Sequence, residues 1–221
     1  MIKNLIQKLY IDHYITPRIS RHLCFKNNLR ARGICILFLF IALISTIYDF
    51  LIYKNTVDFK LFIAHFKADI IFLVLTIIFL LYVFYNQVKK SNEIKRIHQF
   101  IHGAISLLII SWGAVKSSLT ILTEDINYYI YFITVLITAV IFYFPFMMYL
   151  SQIIFSYLLL WLIHLLLDIT LKTFFFNLSF IFILLLIAFF ISRILYYYKV
   201  KHLMKEEEIT KLKKHINQNG K

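Results

Sequence analysis

Trp112 and Lys116 stand four residues apart in an apolar stretch, a spacing that sets an indole and an ammonium on one helix face. An ionisable group inside an apolar segment is costly and tends to mark function, so carboxylate partners are expected for Lys116. Asp49, Asp69, Glu124 and Asp125 are the candidates, because each falls near the end of an apolar run. Together these six residues would line a ligand-binding pocket. A plainer reading competes with it. Lys116 lies 18 positions after His98, about 27 Å along a helix, which brings its amine close enough to an interface to snorkel. Trp112 would then be an interfacial anchor, and Tyr128, Tyr129 and Tyr131 part of an aromatic belt.

Three further pairs have spacings that can carry chemistry. His164 and Asp168 are four apart and suit a hydrogen bond better than a metal, because no second ligand pair at that spacing accompanies them. His98 and His102 share a helix face and could ligate haem on paper, but with Lys95 and Arg96 beside them they are expected at lipid headgroups. Cys24 and Cys35 are too few for a metal framework, and no supported base accompanies them for thiolate catalysis. No H-E-x-x-H occurs. These residues imply no cofactor, no metal and no catalytic centre.

The elements that must position these groups are apolar. Apolar residues make up 61% of 221, with a mean hydropathy of +0.78, more hydrophobic surface than one soluble core can hide. Hydropathy predicts an all-α, polytopic membrane bundle of six transmembrane helices, near Ile34–Tyr53, Asp69–Val88, Ile97–Ile121, Tyr128–Phe144, Phe146–Leu167 and Asn177–Tyr198. A β-barrel is excluded, since the segments are apolar on every face instead of alternating. Only four Gly and two Pro occur, which disfavours the broken helices of many carriers.

Basic residues sort by side. Nineteen of the 24 Lys and Arg fall before the first span, between the second and third, or at and after the end of the sixth. Lys54, Lys60, Lys67, Lys116 and Lys172 are left for the other side. This bias places both termini in the cytoplasm. The formal charge of +13 therefore speaks for anionic lipid and topology, not nucleic acid. No cleavable signal peptide is expected, because about 33 mostly polar residues precede the first span.

Three regions follow: a cytoplasmic amino-terminal segment (1–33), a six-helix membrane domain (34–198) and a cytoplasmic tail (199–221). In the first, Ile2, Leu5, Ile6 and Leu9 recur at helical spacing until Pro17, an amphipathic helix suited to the inner leaflet. In the last, Leu195, His202, Ile209 and Ile216 are seven apart, with Tyr198, Lys205 and Leu212 in the intervening seam and Glu207 four before Lys211. No Gly or Pro interrupts the exit from the bilayer, so this stretch is read either as a solvated tail or as a dimeric signalling helix.

Six apolar helices, SWGAVKSSL in the third with Asp125 following, and FFISRILYYYKVKHLMKEEEITKLKKHI at the exit resemble the membrane-sensing half of bacterial diguanylate cyclases, whose catalytic GGDEF domain follows such a helix. Related modules precede histidine kinase cores. No GGDEF-like or kinase motif occurs in these residues. The resemblance therefore implies a sensor of the bacterial cytoplasmic membrane without its output domain. Such a module would work as a homodimer, bind an unknown small ligand, and signal to a cytoplasmic effector through Arg193, Leu195, Ile209, Leu212 and Ile216. A small transporter or channel subunit is the alternative, with Asp49, Asp69, His164 and Asp168 as proton or ion sites.

Overall fold

Lipid offers backbone amides no hydrogen-bond partner, so a chain this apolar must satisfy them within helices. The structure, a computed structural model, describes residues 11, 15–53, 59–85, 96–120, 128–167 and 171–219. Among these residues it is all-α, with six helices. α1 (Pro17–Tyr48) runs on as a π-helical turn (Asp49–Tyr53); then follow α2 (Phe59–Tyr85), α3 (Arg96–Thr120), α4 (Tyr129–Ile141), α5 (Phe146–Leu166) and α6 (Leu171–Asn219). The amphipathic reading of residues 1–10, and Glu124, Asp125 and Asp168, lie outside the described residues.

Five of the six helices are long and apolar enough to cross a membrane. The fourth is shorter than the predicted Tyr128–Phe144: α4 has 13 residues, about 20 Å against a hydrocarbon core of about 30 Å. Its end is set by Pro145, which has no amide to extend a helix and restricts the residue before it. Phe142 is already extended, and Pro145 caps α5.

Other helices outrun their apolar cores. α1 starts at Pro17, with Thr16 as N-cap accepting from the Ile19 amide at 3.3 Å. α2 starts at Phe59, ten residues before the predicted Asp69, because Phe59, Leu61, Phe62, Ile63 and Phe66 carry the apolar pattern backwards while Lys60 and Lys67 stay exposed. α6 is unbroken for 49 residues, about 74 Å.

The bundle has inverted polarity. α2 buries His65, Asp69, Phe72, Thr76 and Val83, and α5 buries Tyr149, Gln152, Ser156, Leu160 and His164, each a stripe at spacings of three, four or seven. Ile71, Ile78 and Leu81 of α2 and Leu158 and Leu162 of α5 face outward. Water would penalise such a surface and hydrocarbon does not, so the fold is that of a multi-pass membrane protein.

α3 is the central helix, touching α1, α2, α4 and α5. Two glycines let neighbours approach it. A Cβ at Gly113 would collide with the Thr134 side chain of α4, and one at Gly103 with the Met148 side chain of α5. Polar links fasten the same contacts. The Ser106 hydroxyl donates to Gln152 Oε1 at 3.1 Å, and Gln152 Nε2 to the Gly103 carbonyl at 3.2 Å. The Tyr131 amide donates to Ser117 Oγ at 2.9 Å.

Candidate functional site: a buried ion cluster at one end of the bundle

α2 and α3 bring Asp69, Trp112 and Lys116 together in the interior, and the π turn that ends α1 adds Asp49. The Lys116 ammonium donates to Asp49 Oδ2 at 2.8 Å and to Asp69 Oδ2 at 3.2 Å. The Trp112 indole N–H donates to Asp69 Oδ1 at 2.9 Å. Exposure is 4% for Lys116, 2% for Asp49 and 0% for Asp69, so Lys116 does not snorkel: its amine is enclosed between two carboxylates. Trp112 is not an interfacial anchor either. Phe72 stacks on it at 4.8 Å between ring centroids, and Phe38 meets both rings edge-on at 6.1 Å.

Each position has a local cause. Trp112 and Lys116 share a face at i, i+4, and Asp69 and Phe72 share one at i, i+3. Asp49 opens the π turn, where an extra residue per turn rotates the following side chains, a device common at functional sites. His65 is buried one turn before Asp69. Two carboxylates share one ammonium, so the removal of Lys116 would leave both buried without their cationic partner. A buried pair broken from one side costs about 3–5 kcal/mol.

The remaining candidates separate. His164 is buried on α5 with Nδ1 2.8 Å from the Leu160 carbonyl and Nε2 2.7 Å from the Tyr128 hydroxyl, against which its ring stacks. A carbonyl only accepts, so Nδ1 carries a proton; in the neutral ring Nε2 accepts from Tyr128. Of the expected aromatic belt, Tyr129 is exposed, while Tyr128 and Tyr131 are buried, the latter bonded to Ser156 at 2.9 Å. His102 is not at the headgroups. It is buried on α3, 3.5 Å from Asn28, whereas His98 is half-buried beside Tyr82. Cys24 and Cys35 are buried free thiols.

At the opposite end, Arg193 of α6 is 1% exposed. It donates to the Phe144 carbonyl at 3.2 Å and lies over the Tyr196 and Phe146 rings, tying α6 to the α4–α5 turn. Sequence reasoning missed the residues that complete this junction. Asn27 of α1 pairs with both the Tyr143 amide and carbonyl at 2.9 Å, and Arg30 donates to the Ile141 carbonyl at 2.6 Å and the Tyr143 hydroxyl at 2.7 Å. The signal was there in part: a Pro145 turn needs its carbonyls capped, and basic side chains near that depth can cap them. Beyond it, Tyr196, Val200 and Leu203 pack with Ile11, Ile19 and Leu23, and the Thr16 hydroxyl donates to Glu207 at 3.1 Å. Leu195, Ile209, Leu212 and Ile216 are on the surface.

No family of proteins, no curated protein and no solved structure matches this chain. The fold thus defines the class, a multi-pass membrane protein.

Proposed function

We propose that the chain is the membrane-embedded sensory module of a bacterial signalling system. In this reading the end rich in Lys and Arg faces the cytoplasm, with both termini, and the Asp49–Asp69–Lys116–Trp112 cluster receives a small ligand near the outer face. α6 passes the change to a cytoplasmic effector. The observation that carries the reading is the continuity of α6, one helix from inside the bundle to Asn219, with Arg193 fixed to the α4–α5 turn at the crossing. A rigid helix converts a rotation or shift within the bundle into the same movement at its far end, provided the bundle has two arrangements that the ligand binds unequally. The resemblance to the membrane halves of diguanylate cyclases and histidine kinases points the same way.

A diguanylate cyclase domain fused after Ile216, with insertions of one to seven residues before it, tests the proposal. Output is expected to follow helical phase and to recover near seven inserted residues. Indifference to insertion length would sink the reading and favour the transporter or channel alternative, for which the buried charges of the cluster would be the ion or proton site.

A further inference from the structure

Across and beyond the predicted end of the sixth span α6 has two unlike faces. Tyr196, Val200 and Leu203 are buried, packed with the start of α1, and Glu207 on the same side is held by Thr16. Leu195, Tyr198, His202, Lys205, Ile209, Leu212 and Ile216 are all exposed. With Leu195 as position a of a heptad, this exposed set occupies every a and d position over three heptads, about 32 Å of helix. The α1 contacts fall on positions b and f. Intrachain packing thus covers the outer face of a prospective coiled coil and leaves its seam open.

From this placement we infer that the seam is the contact surface for α6 of a second copy of this chain, in a parallel, in-register pair from Leu195 to Ile216. Orientation follows from the membrane, because two copies inserted alike present parallel α6 helices in one plane, where confinement raises their effective concentration. Charge decides the register. In a parallel pair, position g of one helix meets position e of the next heptad on the other. Here those contacts are Lys201 with Glu206 of the second copy and Glu208 with Lys213 of the second copy, both attractive, and two-fold symmetry repeats each. Glu206 contacts His202 of its own helix at 3.4 Å, but both side chains are more than half exposed and can turn to the partner. Slipping one helix by a heptad breaks the pattern: Glu208 would then face Glu206 across the seam. His202 and Lys205 form a polar layer between Leu195 and Ile209, which lowers the stability of the pair and penalises shifted registers. The weak pairing that results suits an interface meant to change. This inference deepens the sensory reading, for which the pair would be the moving output part, and rests on it only in that respect.

Oxidative crosslinking of the full chain in native membranes tests it. The unsubstituted chain, whose two thiols are buried, is the blank. Single substitutions Ile209→Cys, Leu212→Cys and Ile216→Cys are expected to give disulfide dimers in yields roughly tenfold above Lys211→Cys, which points away from the seam. In the Leu212→Cys background, Glu208→Lys is expected to lower the yield and Glu208→Lys with Lys213→Glu to restore it. Equal yields at positions 211 and 212, or a yield indifferent to Glu208→Lys, overturn the pairing. The same variants fused to the cyclase domain separate the two ideas. Dimer capture with phase-independent output removes the sensory reading and leaves the pairing, whereas phase-dependent output without capture at 209, 212 or 216 removes the pairing.

Discussion

At the scale of single residues, the decisive fact is that Lys116 has two carboxylates and almost no solvent. Lys116→Met is expected to destabilise the bundle by about 3–5 kcal/mol, measured by thermal unfolding in detergent, because both buried carboxylates lose their counter-ion. Adding Asp49→Asn and Asp69→Asn to that variant is expected to recover most of the loss, since neutral groups carry a far smaller desolvation cost. If the triple variant is no more stable than Lys116→Met, charge compensation is not what the ammonium supplies. The i, i+4 pairing of Trp112 and Lys116 and the need for carboxylates were legible in the sequence. Asp49 and Asp69 were two of the four carboxylates that the sequence offered; that both would close on one ammonium was not legible, because they come from separate helices and whether a lysine faces protein or lipid is settled by tertiary packing.

At the scale of elements, sequence hydropathy located the long helices but misjudged their ends, because it weighs apolarity and not helix continuation. Lys60 and Lys67 hid the first turns of α2, although one exposed charged face is compatible with a helix. The shortening of α4 was less accessible, since the backbone groups freed at the Pro145 turn are bonded by Asn27, Arg30 and Arg193, which are distant in sequence. The α3–α4 contact gives a sharper test. Gly113→Ala places a methyl group against the β-branched Thr134 and is expected to cost about 1–3 kcal/mol. Thr134→Ala in that background is expected to return part of it, as read by the urea midpoint of the detergent-solubilised protein. A Gly113→Ala variant as stable as its parent would mean that α3 and α4 are not held this close.

For the molecule as a whole, orientation can be tested without a structure. In intact cells, a membrane-impermeant thiol reagent is expected to label cysteines introduced at Asn55 and Asn127 and to spare one at Asn217; labelling of Asn217 would reverse the proposed sidedness. The ion cluster also bears on how the protein is made. α3 is the least apolar of the five long helices and carries a lysine into the interior. A ribosome delivers α1 and α2 before α3, so Asp49 and Asp69 leave it ahead of their ammonium. Each side of the cluster is then a poor lodger in lipid until the other arrives. The membrane insertion of α3 and its docking against α1 and α2 are then expected to be one event, and a chain that loses both carboxylates should be recognised by quality-control proteases as a nascent protein with a stray helix, before any folded product exists to be unstable.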